Sequence, residues 1–142
     1  MKNTDELETP PWLFKQLDRV FHFDIDACAS PANYLCPHFY TKEISFLDAD
    51  IAEGLTVWMN PPYSNPGPFL DRSFVLSSMG VTTVALIKGD PSTRWWQYTV
   101  ENKATLKWIP KRIRFYLNGE PTKFPASFPS ILAIYWGIKW KP

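Results

Sequence analysis

The sequence predicts an α/β fold with a mainly parallel sheet and antiparallel C-terminal strands, and three observations carry that expectation. Through residue 102 short apolar runs alternate with amphipathic stretches, as βαβ chains do; after residue 102 strand-like runs follow one another without a helical period. In addition, 45% of the 142 residues are hydrophobic and 16% aromatic, enough for one core. A single domain over residues 1–142 is expected, without room for a separate recognition domain.

In chain order, Thr9-Pro10-Pro11 reads as an N-cap with a proline first turn. A short helix follows, with Trp12, Leu13, Phe14 and Leu17 facing the core. Residues 21–26 alternate apolar and polar as a first sheet strand, which ends in the small residues 27–31. Residues 33–54 carry no long period of either kind and read as an irregular excursion. Residues 55–59 form a short apolar strand that must stop at Asn60, because Pro61 and Pro62 have no N–H for a ladder. Residues 68–79 read as a helix with Phe69, Leu70, Phe74 and Leu76 available for burial and Gly80 as its cap. Residues 81–87 are the clearest buried strand, followed by a helix over about 93–102 capped by Ser92 or Thr93. Residues 104–109, 113–117 and 131–140 complete the strands.

Composition narrows the chemistry. A net charge of +1 excludes a broad positive field, so any nucleic-acid contact must use local patches. The best patch holds Lys107, Lys111, Arg112 and Arg114, which reads equally well as the solvated face of a strand pair. His22 and His38 stand beside no nucleophile, and Cys28 and Cys36 lack zinc spacing, so neither a triad nor a metal site is expected. With no apolar h-region at the start and no long uncharged apolar run, the expectation is a reduced, cytoplasmic protein, in the host cytoplasm if phage-encoded.

In an open α/β sheet ligands sit at the carboxyl ends of the strands, which puts Asp26, Asn60 and the loop 88–92 on one rim. There the run Asn60-Pro61-Pro62-Tyr63 suits methylation of a planar exocyclic amine. The lone pair of such a nitrogen is delocalised, and two acceptors on its two N–H bonds oppose that delocalisation. The Asn60 side-chain oxygen and the Pro61 carbonyl are those acceptors, Pro62 stiffens the turn, and Tyr63 offers a face for an extruded base. The structural reading, an ordinary turn at a strand end with a packing tyrosine, is weakened by the strand before and the helix after.

Five ordered blocks then make the chain resemble the phage-type DNA N6-adenine methyltransferase (Dam) family. They are residues 8–14 (Glu-Thr-Pro-Pro-Trp-Leu-Phe), 23–30, 57–64, 92–96 and 128–130 (Phe-Pro-Ser). The resemblance implies a compact Rossmann-like SAM-dependent methyltransferase fold, S-adenosyl-L-methionine as donor and adenine in double-stranded DNA as acceptor. It implies cofactor contacts from Thr9 and Pro10 at the methionine end and from Asp26 at the amino group, with Asp24 two positions earlier as a second acid, and from Ala27 and Asn60. Thr9 as a plain helix cap and Asp26 as a strand-end acid are the alternatives. Trp12 and Phe39 are better read as packing than as flanks of the cofactor's adenine.

Two departures stand out. The usual glycine-rich turn after the first strand is replaced by Asp26-Ala27-Cys28-Ala29-Ser30, whose small side chains must permit close approach. The strands usual between that turn and the catalytic strand are not visible in residues 33–54, which leaves Asp48 and Asp50 as the ribose candidates. DNA contacts are expected from Tyr63, Arg94, Trp95, Lys111, Arg112 and Arg114, the cations holding phosphates, and a homodimer is compatible with the small body. The alternatives are methylation of a protein glutamine or an RNA amine, and an inactive DNA-binding module of the same fold.

Overall fold

A computed structural model describes residues 4–138. After a 3-10 turn at Thr4–Glu6 come helix α1 (Pro11–Phe21), strand β1 (Ile25–Asp26), strand β2 (His38–Phe39), a 3-10 turn (Phe46–Asp48) and strand β3 (Thr56–Met59). Helix α2 (Gly67–Ser77), strand β4 (Thr82–Lys88) and helix α3 (Arg94–Thr99) follow, then strands β5 (Thr105–Trp108), β6 (Tyr116–Leu117), β7 (Glu120–Pro121) and β8 (Ser130–Tyr135).

Six strands form one sheet in the order β2-β1-β3-β4-β8-β5, and β6-β7 is a separate hairpin. The pairs β1–β2, β1–β3 and β3–β4 are parallel, while β8 runs antiparallel to both β4 and β5. This is the mixed α/β architecture the periodicity predicts. Because both faces of β8 lie in core, with Ile131, Ala133 and Tyr135 on one and Leu132 and Ile134 on the other, all six of its residues are buried, which explains its apolar run. Strand β5 is one of the two edges, exposed throughout, and Lys107 on it discourages pairing with another chain.

Alternating side chains divide the core between the two faces of the sheet. Ile25, Val57, Met59, Ala85, Ile87, Ile131 and Tyr135 pack with α2 residues Leu70 and Leu76 and with Trp96 of α3. Trp58, Val84, Leu86, Leu132 and Ile134 pack on the other face with Leu13 and Phe14 of α1 and with Ile113 and Phe115.

Several expected boundaries move. The alternation at residues 21–26 is not a strand of that length: Phe21 still belongs to α1, and His22, at φ 54°, closes the helix by donating its N–H to Asp18 O. The Asp18 carboxylate then holds Phe23 N at 2.8 Å, so only Ile25 and Asp26 reach the sheet. Trp12, expected inside, is 49% exposed, and Phe74 also faces outward. Pro10, not Thr9, is the N-cap of α1, without a side-chain bond. The stretch 33–54 does hold one further parallel strand, β2, of only two residues. Helix α3 is capped by the Thr93 hydroxyl and stops at Thr99, and only Tyr116 and Leu117 of the run 113–117 form ladder. The last strand ends at Tyr135; Trp140, its expected end, lies outside the described residues.

Gly80 explains its own identity. It sits at φ +84° after α2, and a Cβ there would lie 2.6 Å from Glu53 Cγ.

Candidate active site

Register places the rim. Asp26 is opposite Trp58 across the parallel β1–β3 pair, so Asp26 and Asn60, the residue after β3, both stand at the carboxyl end of the sheet. Between them opens a cleft of about 350 Å³ lined by Thr9, Asp26, Ser30, Lys42, Glu43 and Asn60, with residues 5–8 along one wall. Asp5, Glu6, Asp26 and Glu43 face it, Lys42 is the one cation among its described lining residues, and the Glu8 carboxylate is turned to the Asn118 and Gly119 amides, so the cleft favours a cationic ligand over a polyphosphate.

Asp26 is 3% exposed. Its Oδ1 accepts from Cys28 N at 3.3 Å and its Oδ2 from Leu35 N at 3.0 Å. Burial wins over these two donors and raises its carboxyl from 3.8 to about 6. A cation beside it would reverse that balance. The neighbouring thiols are poor nucleophiles: burial, with Asp26 second, drives Cys28 well above the ordinary thiol value and Cys36 up to about 12.

Asn60 is half-buried, and its Nδ2 donates to Leu7 O at 3.1 Å. A carbonyl only accepts, so the NH2 end faces Leu7 and Oδ1 is left as an oriented acceptor. Pro61 is buried and Pro62 half-buried, which makes the turn after β3 stiff. Thr9 reaches the same place from the other side, its Oγ1 accepting from Trp58 Nε1 at 3.2 Å.

Tyr63 departs from the expectation of an open stacking face. It is 8% exposed, its hydroxyl donates to Leu86 O at 3.1 Å, and its ring meets Phe115 and Phe128 edge-on. Burial holds its phenol well above the ordinary value. Packing of the second core takes the face that the sequence assigned to a base. A second cleft of about 300 Å³ opens beside this cluster, lined by Thr4, Leu7, Phe115, Phe124, Ala126 and Phe128. Phe124 is 70% exposed there, and Lys88 Nζ sits 4.7 Å from the Phe128 ring centre.

The remaining expected residues divide. Asp24 is at the opposite end of β1 from the cleft, lines no part of it, and accepts from Thr56 N at 2.9 Å, which ties β1 to β3. Pro10 and Ala27 are buried and line neither cleft, Ala27 packing in the core. Arg94 is exposed at the start of α3, but Trp95 is half-buried against the core. Lys111 and Arg112 are exposed, whereas Arg114 donates through Nη1 to Thr122 O at 3.0 Å and Lys123 O at 2.9 Å and braces a loop. Asp48 and Asp50 do not line the cleft; Glu43 does. Glu43 follows β2 by a few residues.

The sequence profile of DNA N-6-adenine-methyltransferase (Dam) matches residues 1–138. The chain belongs to the Dam family. Two relatives are both DNA N-6-adenine-methyltransferases. One, from Haemophilus phage HP1 (strain HP1c1), is 37% identical over 115 residues, 79% of this chain and 66% of its own length. The other, from Escherichia phage T1, is 32% identical over 106 residues, 74% of this chain and 44% of its own length. The chain thus spans just under two thirds of one Dam relative and less than half of the other. Among the described residues no helix is long and apolar enough to cross a membrane, and no group of three or more His, Cys, Asp and Glu is disposed to hold a metal.

Proposed function

We propose that this Dam-family chain transfers a methyl group from S-adenosyl-L-methionine to N6 of adenine in DNA. The observation that carries the reading is the position of Asn60: its amide is oriented by Leu7 O on the rim of an acidic cleft, beside an aromatic one.

The acidic cleft fits the donor on its own chemistry. Its size is ordinary for a small-molecule site, its charge suits a ligand bearing an ammonium and a sulfonium, and the β1–β2 connection supplies small residues, Ala29 and Ser30, where a cofactor must come close. Asp26 would take the amino group, Thr9 the carboxylate end through its hydroxyl, and Glu43 the ribose hydroxyls. When bound, the donor would supply an electrophilic methyl carbon on a positively charged sulfur, which takes the C–S electron pair and leaves as a neutral thioether.

Asn60 Oδ1 and the Pro61 carbonyl accept the two N6 hydrogens of adenine, which returns the lone pair to nitrogen and favours its tetrahedral geometry during attack. Neither group ionises, and the surplus proton on the methylated nitrogen passes to solvent. The base side is the aromatic cleft, where Phe124 and Phe128 offer stacking surface and Tyr63 packs edge-on against Phe128. Lys111, Arg112 and Arg94 hold phosphates without reading sequence.

The test supplies labelled S-adenosyl-L-methionine with duplex DNA, RNA or bulk protein as acceptor. Label in DNA that digests to N6-methyldeoxyadenosine supports the reading. Label in protein or RNA alone would replace the acceptor, and heat-silent calorimetry with the donor would leave a non-catalytic module instead.

A further inference from the structure

Residues 4–9 cross the rim between the two clefts, and Leu7 lines both. Polar bonds hold this strap. Asp5 accepts from Ser64 N at 2.8 Å, just past the Asn-Pro-Pro-Tyr run, and Thr9 accepts from Trp58. Glu8 makes the densest anchor. Its backbone pairs with Tyr116 through bonds of 2.8 and 3.0 Å, and its carboxylate accepts Asn118 N on one oxygen and Gly119 N on the other, each at 3.0 Å.

The geometry of that anchor requires a carboxylate. Asn118 and Gly119 lie at φ 52° and 81°, the two left-handed residues of a tight β6–β7 hairpin turn, and successive amides in such a turn form an anion-binding nest. A side chain with two acceptor oxygens satisfies both amides. Glutamine offers one oxygen and would turn its own NH2 against the second N–H.

Leu7, the residue before Glu8, gives its carbonyl to Asn60 Nδ2. The terminal torsion of asparagine is broad, so without that carbonyl the amide would rotate and Oδ1 would lose its aim. We infer that Glu8 is a positioning residue: by clamping the strap to the β6–β7 turn it holds the Leu7 carbonyl that orients the Asn60 amide. The inference rests on reading this rim as the site of methyl transfer to adenine N6.

Two measurements test it, one independent of turnover. In nitrogen-labelled protein the Asn60 side-chain amide is the pair of signals lost in Asn60→Ala. It should exchange slowly in the wild type, at an intermediate rate in Glu8→Gln, and at the solvent rate in Glu8→Ala. In steady state Glu8→Ala should lower kcat about ten-fold, short of the loss expected for removing an oriented hydrogen-bonding group outright, with the donor's KM unchanged and partial rescue by Glu8→Gln. If Glu8→Ala does not fold, the intermediate exchange and kcat of Glu8→Gln carry the test. Unaltered Asn60 exchange in the Glu8 variant overturns the inference. So does a rise in the donor's KM at constant kcat, which would make Glu8 a cofactor contact. Wild type that methylates no adenine defeats the reading of the site, while the exchange result still decides the role of Glu8.

Discussion

Moving the pH from 5 to 7 should change donor affinity through Asp26. The Asp26 carboxyl titrates at about 6 in the ligand-free protein because burial outweighs the two amides that hold it. At that value roughly a tenth of the molecules carry the ionised form at pH 5 and roughly nine tenths at pH 7. If only the carboxylate holds the donor's ammonium, S-adenosyl-L-methionine should bind about ten-fold more tightly at pH 7. Folding responds with the opposite sign. A carboxyl raised from 3.8 to about 6 keeps its proton longer in the folded state, so its contribution to stability is best below pH 4 and declines as pH rises to 6. The displacement corresponds to about 3 kcal/mol at most. Calorimetric titration at pH 5, 6 and 7, with Asp26→Asn as reference, reads the first effect. Thermal melts of the same pair without ligand read the second. Affinity that is flat with pH in the wild type, or equally steep in Asp26→Asn, would refute the assignment of Asp26 to the ammonium.

Replacing Lys111 and Arg112 with Ala should weaken DNA binding and reduce its log–log salt slope by up to about two, with donor affinity unchanged; an unaltered slope removes this patch from the interface. Arg114→Ala, by contrast, should lower stability by about 1 kcal/mol in denaturant melts through loss of its bonds to Thr122 and Lys123, and leave the salt slope nearly intact. Thr83 is fully buried on β4 with a hydroxyl that has no partner among the described residues, so Thr83→Val should raise stability by about 1 kcal/mol; a loss would reveal a bonded hydroxyl.

The sheet was legible where burial is two-sided: β4 and β8 read as unbroken apolar runs because both their faces lie in core. Helix α2 was legible from its proline start and the left-handed Gly80 that follows it, although the helix stops at Ser77 with Ser78, not Gly80, as its C-cap. The first strand was misread because Phe21 and Phe23 alternate in sequence but are separated by a left-handed His22, and no pattern of hydrophobicity encodes that reversal. At two residues, β2 is too short for any period, so Glu43 stayed out of view. The β6–β7 hairpin did carry a readable signal, Asn118-Gly119, obscured by strands of two residues and by Pro121. Of the candidate site, the shared rim position of Asn60 and Asp26 was legible because both stand at the carboxyl ends of parallel strands. The hydrogen bonds of Tyr63, Asp24 and Arg114 were not legible because their partners, Leu86, Thr56 and Thr122, come from distant segments that composition cannot pair with them.

Asn60→Ala is the variant on which the account turns. The protein is incubated with S-adenosyl-L-methionine and unmethylated duplex DNA, the DNA is digested to nucleosides, and N6-methyldeoxyadenosine is quantified by mass spectrometry beside a thermal melt and a donor titration. Wild type should yield the modified nucleoside, whereas Asn60→Ala should yield at least a hundred-fold less while melting near the wild-type temperature and still binding the donor. Wild-type turnover in Asn60→Ala would contradict the account.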